Sequence, residues 1–163
     1  MNAALRFIRL ATALACIGWM TPALAEVALS TTVQELERVV APDGSVSSQL
    51  VAPDKVVPGD DMHYTITFRN AGKTAVDAGT VVITNPVPEN TTYIGESAFG
   101  AGTTILFSVD GGTTFRKANE LTVVRDGVEV PASANDYTTI RWTFGPALAP
   151  GAQGNVSFNV RLK

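Results

Sequence analysis

Strict alternation of apolar and polar residues constrains this chain more than any other feature. From Met62 to Arg69 the apolar Met62, Tyr64, Ile66 and Phe68 take every second position, with His63, Thr65, Thr67 and Arg69 between them. Ile140, Trp142 and Phe144 repeat the pattern, and Val156, Phe158, Val160 and Leu162 repeat it again. A period of two belongs to a strand with one dry face. Turn residues bracket the first of these strands: Val57-Pro58-Gly59 leads in and Asn70-Ala71-Gly72 leads out. Proline fixes φ there, while Gly and Asn tolerate positive φ. Ala149-Pro150-Gly151 stands before the last strand in the same way.

The segments between follow suit. Val27 to Arg38 reads as a strand, and Asp43-Gly44 as a turn that makes Val39-Val40 and Leu50-Val51 the arms of a hairpin at a sheet edge. Thr80 to Thr84 is a short strand that must stop at Asn85-Pro86-Val87-Pro88, because prolines do not fit inside a ladder. Thr91 to Ile94 resumes extended structure, and Gly95 to Gly102 is a loop crossing between sheets. Thr104 to Val109 and Thr113 to Arg116 flank Asp110-Gly111-Gly112 as a hairpin, and Leu121 to Val124 pairs with Val128 to Val130 across Asp126-Gly127. Short strands folding back at short intervals imply an all-β antiparallel β-sandwich. No repeat of propeller or solenoid length occurs.

Residues 1–25 are expected to be a signal peptide, with Arg6 and Arg9 before an apolar run from Leu10 to Met20 and an A-x-A site at Ala23-Leu24-Ala25. That run is too short for a membrane span, and no later stretch approaches the required length, so no stable membrane span is expected. The mature chain, 26–163, is then one soluble exported domain, periplasmic or extracellular. Cys16 is the single cysteine and falls within the leader, which excludes cysteine catalysis, disulfides and thiolate zinc sites in the mature chain. Lipidation of Cys16 is disfavoured, since Ala13 occupies the usual leucine position and Ile17-Gly18-Trp19-Met20 is apolar where a tether would begin. Loss of two arginines leaves ten basic against 15 acidic residues, a formal charge of −5, which argues against nucleic acid.

Taken together, Val57-Pro58-Gly59-Asp60, Tyr64-Thr65-Ile66, Asn70-Ala71-Gly72, Asn85-Pro86-Val87-Pro88-Glu89-Asn90-Thr91, Ser108-Val109-Asp110-Gly111-Gly112 and Leu148-Ala149-Pro150-Gly151 resemble the bacterial conserved repeat domain, domain-of-unknown-function family eleven. The resemblance spans Val27 to Lys163. It implies an immunoglobulin-like β-sandwich of secreted and cell-envelope proteins, and it brings no catalytic residues with it. One copy in this sequence speaks against a spacer in a stalk.

Candidate chemistry is thin. Ser108-x-Asp110-x-Gly112-x-Thr114-Phe115 looks like the Asp-box of sialidase propellers, where the Asp holds a hairpin turn, so its role is structural even there. Asp43, Asp54, Asp60, Asp61, Asp77 and Asp110 sit in turns and could supply oxygen ligands to calcium, but none shows calcium-loop spacing, and turn capping accounts for them. His63 is the single histidine and is read as an exposed strand residue without a role; no G-x-S-x-G elbow supports a nucleophile. Trp142, Phe144, Phe158, Tyr64 and Phe68 belong to the core by phase, whereas Tyr93, Phe99 and Tyr137 are the aromatics out of phase that could face a ligand. Asn90-Thr91-Thr92 and Asn155-Val156-Ser157 match glycosylation acceptors but read as turn and strand positions.

The expectation is a non-enzymatic structural or protein-interaction module of the bacterial cell envelope, without catalytic, cofactor or metal sites. Its partner would be another envelope or surface protein, engaged through an edge strand, with the N-terminal hairpin and the final strand as the edges. The alternative is a calcium or glycan binder using turns at one pole.

Overall fold

A computed structural model describes residues 26–163; the segment expected to be a signal peptide, with its expected cleavage site and Cys16, lies outside the described residues. The fold is all-β, an immunoglobulin-like sandwich of antiparallel sheets. Eleven strands follow in order: β1 Val27–Val40, β2 Val46–Val51, β3 Asp61–Asn70, β4 Val81–Pro86, β5 Thr91–Tyr93, β6 Phe99–Gly100, β7 Thr103–Ser108, β8 Thr122–Arg125, β9 Val128–Pro131, β10 Thr139–Phe144 and β11 Gln153–Leu162. The larger sheet runs β2-β1-β3-β11-β5, with β6 also on β11. The smaller runs β4-β10-β7, and β8 and β9 form a separate two-stranded ribbon.

The alternating residues meet between the two sheets. Met62, Ile66 and Phe68 of β3 and Val156, Phe158 and Val160 of β11 are buried against Val81 and Ile83 of β4 and Ile140 and Trp142 of β10. Trp142 reaches Phe158 at 5.9 Å between ring centroids, and Tyr64 stacks on Phe158 at 5.0 Å. The in-phase aromatics are therefore core, as their spacing requires. Strands β3 and β11 pair from Asp61↔Arg161 to Arg69↔Gln153, so the central rung joins segments far apart in the chain.

Several expectations change in detail. The final strand is no edge: β11 has β3 on one side and β5 and β6 on the other. The N-terminal hairpin exists and β2 is an edge, but Leu50 pairs with Leu36 and Val40 with Val46, so Val39-Val40 and Leu50-Val51 lie at opposite ends of longer arms rather than facing one another. Strand β4 includes Pro86 as its last rung, opposite Thr139; β4 is an edge strand, where a residue without an N–H is tolerated. The loop after β5 pauses at β6 before crossing to the smaller sheet. Thr113 to Arg116 forms no ladder, since Phe107↔Arg116 is a single bridge and β7 pairs with β10 instead.

The Asn70 turn works by a different mechanism from the one expected. Neither Asn70 nor Gly72 has positive φ. Instead the fully buried Asn70 amide donates to the carbonyls of Thr74 (2.7 Å) and Leu148 (2.9 Å) and accepts from the Gly72 N–H (3.0 Å). One side chain thus ties the end of β3 to the segment before β11. Gly59 and Gly151, in the two Pro-Gly turns, do take positive φ, at 101° and 75°.

Candidate functional site

Two features have no counterpart in a closed sandwich. The first follows from the unequal width of the sheets. Three strands cannot cover the broad sheet, so β1 and β2 overhang the smaller one. Leu29 belongs to the inner face by register, opposite Phe68, yet it is 59% exposed. Strand β2 pairs only with Glu35 to Val40 of β1, which leaves the same edge of β1 open from Val27 to Gln34 among the described residues. Strand β3 reaches no further than Glu35, so the hairpin beyond it projects as a two-stranded ribbon. On one face of that ribbon Leu36 lies beside Leu50 and Val40 beside Val46; Val40, Val46 and Leu50 are exposed. Open edges with apolar side chains are what a pairing strand from another chain requires.

The second feature is an apolar pocket of about 420 Å³ where β5, β7 and the segment after β9 converge. Tyr93, Phe107 and Tyr137 form its aromatic wall: Phe107 stacks on Tyr137 at 4.6 Å, with Tyr93 at 5.5 Å from Phe107 and 5.8 Å from Tyr137. Tyr93 is anchored because its hydroxyl oxygen accepts the Ala98 N–H at 3.0 Å. Burial and the nearby Tyr93 and Asp136 raise the Tyr137 phenol above its usual range.

Asp136 holds the opposite wall. Its carboxylate accepts the Ser133 N–H and hydroxyl, both at 2.7 Å, and the Arg125 guanidinium at 2.6 Å, which fixes the short 3-10 turn Ala134–Asp136 and ties it to β8. These bonds, those from Ser133 first, push the Asp136 carboxyl down to about 2. At the mouth stands Glu96, whose φ of +60° is left-handed, a conformation costly for a residue with a Cβ. Its carboxylate makes no ion pair or hydrogen bond among the described residues, and no cationic side chain lines the pocket.

The residues singled out by sequence divide clearly. Tyr93 and Tyr137 do share the pocket, whereas Phe99 sits on β6, 61% exposed and outside it. His63 is half-buried rather than exposed, and its Nδ1 lies 2.6 Å from Asn159 Oδ1 across the β3–β11 pair. Asp110 closes the 108–115 loop by accepting from Ser108 Oγ, the N–H groups of Thr113 and Thr114, and Thr114 Oγ1. The Ser108 hydroxyl foremost, then Thr114, hold its carboxyl well below the usual range. Phe115 from the same loop lies under the Arg141 guanidinium, 3.5 Å from its ring centroid.

Three other aspartates are also engaged: Asp43 accepts from Ser45, Asp60 from the Val57 N–H, and Asp61 pairs with Arg161 at 2.7 Å, whereas the Asp54 and Asp77 carboxylates have no bond among the described residues. Among the described residues no three His, Cys, Asp or Glu side chains come close enough to hold a metal ion. No described helix is long and apolar enough to cross a membrane. Phe107 and Glu96 escaped the sequence reading. Phe107 alternates like any core residue, and Gly95-Glu96 carries no sign that the second residue, not the glycine, takes the left-handed conformation.

No protein-family model matches this chain, and no curated protein matches it.

Proposed function

We propose that the protein is an exported, non-enzymatic interaction module of the bacterial cell envelope that receives an extended strand of another envelope or surface protein along the open edge of β1. The resemblance to the conserved repeat domain gives this reading its cellular setting. The observation that carries it is the unpaired stretch Val27 to Gln34, lying in line with β2, beside a Leu29 that the smaller sheet fails to cover. An incoming strand would bond to the free edge, cover Leu29 and continue the sheet where β2 leaves it. The apolar face of the projecting ribbon lies by register on the other side of the sheet from Leu29, so a partner that used both would wrap around the edge. His63 and the bonded turn aspartates all have structural work, which favours a surface over a reaction centre.

Site-specific photo-crosslinking in cells tests this. Crosslinkers at Leu29 and Val46 are expected to trap the same exported protein, and one at Val124, exposed on the β8–β9 ribbon, is expected not to. Equal trapping from all three positions, or none from Leu29 and Val46, would refute the reading. Trapping of a second copy of this chain would replace the partner with a homodimer.

A further inference from the structure

We infer that the pocket between β5, β7 and the 132–137 segment is a binding site for a small organic cation, an ammonium carried on an apolar or aromatic body. Size and lining come first. About 420 Å³ accommodates a small aromatic or alkyl group. Ile105, Ala118, Ala132 and Ala134 give that group apolar contact without polar demands.

Charge decides the other end of the ligand. The rings of Tyr93, Phe107 and Tyr137 line the pocket, and aromatic rings attract a cation that reaches their faces. Most other polar side chains are already committed, Tyr93 Oη to Ala98, Ser133 to Asp136, and Asp136 to Ser133 and Arg125, and the uncharged Tyr137 hydroxyl is left to accept from an ammonium N–H. Glu96 alone brings an unengaged charge, and no Lys or Arg lines the pocket to neutralise it. The backbone adds an independent observation. Gly95 and Glu96 are the centre of the turn closed by the Ser97 N–H on the Ile94 carbonyl, and the left-handed position falls on the glutamate. Exchange of these two residue types would relieve the conformation but move the carboxylate, so the strained arrangement keeps a negative charge at the mouth.

The probe is 2-phenylethylammonium, with neutral 2-phenylethanol as its near-isostere, titrated into the protein as it is produced by the cell and followed by amide chemical shifts and calorimetry. The ammonium is expected to shift the amides of Glu96, Ala98 and Tyr137 and to bind about fivefold more tightly than the alcohol. Glu96→Gln should bring the two ligands level. Glu96→Gly should do the same while melting at or above wild type, because glycine suits the left-handed backbone; loss of binding would then not be loss of fold. Equal affinities for the two probes in wild type, a preference that survives both substitutions, or no shift of pocket amides at millimolar ligand would each overturn the inference.

Discussion

The ring of Phe68 occupies the place where a side chain at Gly154 would go. The two residues are direct partners across β3 and β11, and a Cβ built on Gly154 would lie 2.4 Å from Phe68 Cζ. Phe68 is 1% exposed and cannot swing out. Gly154→Ala is therefore expected to destabilise the domain by about 2 kcal/mol through overpacking, although its backbone conformation suits any residue. Denaturant unfolding of the variant checks this, and wild-type stability would show that the ring relaxes freely.

Asn70 supplies a second test. Its amide makes three bonds from a fully buried position. Asn70→Ala should cost about 2 kcal/mol, whereas Gly72→Ala should cost much less, since Gly72 has no positive φ to lose. Paired thermal melts of the two variants distinguish a side-chain-held turn from one held by backbone freedom.

Acid sensitivity follows from two carboxylates. Asp110 and Asp136 are both held below the usual carboxylate range, Asp136 at about 2. A carboxyl lowered by folding stabilises the folded state above its unfolded pKa and loses that contribution as pH falls through the folded one. The melting temperature of the wild type should thus exceed that of Asp110→Asn/Asp136→Asn at pH 7, and the gap should narrow as pH falls from about 4 towards 2. A gap independent of pH would assign the difference to geometry rather than charge.

The overhang gives a prediction about binding without folding. Leu29 is mostly exposed, so Leu29→Lys should change stability by no more than about 0.5 kcal/mol. On the open edge the same charge should abolish the crosslinked adduct, because a lysine there opposes strand addition. Retention of the adduct would move the docking surface away from β1.

The strands were legible where one face is dry: β3, β10 and β11 announce themselves by alternation, and Asp43-Gly44 and Asp126-Gly127 mark their turns. Legibility failed where position in space decides the outcome. Nothing in Val156 to Leu162 tells an edge strand from an interior one, because an interior strand of a sandwich shows the same single dry face. Thr113 to Arg116 has strand composition, yet Asp110 draws the N–H groups of Thr113 and Thr114 onto its carboxylate and prevents a ladder. The pocket gathers Tyr93, Phe107 and Tyr137 from three separate segments. Phase could flag Tyr93 and Tyr137 as irregular, but their meeting with Phe107 depends on how the sheets stack.

The place of β11 bears on the order of events during folding. The broad sheet has a gap between β3 and β5 until residues 153–162 fill it, and the rung Asp61↔Arg161 joins positions a hundred residues apart. Hairpins such as β1–β2 and β8–β9 can form early, but the buried Val156, Phe158 and Val160 at the centre of the broad sheet come only with residues 153–162. Closure of so long a loop is slow. A nascent chain of this design cannot close its sandwich before residues 153–162 have been made, so β3 and β5 wait without the strand that joins them.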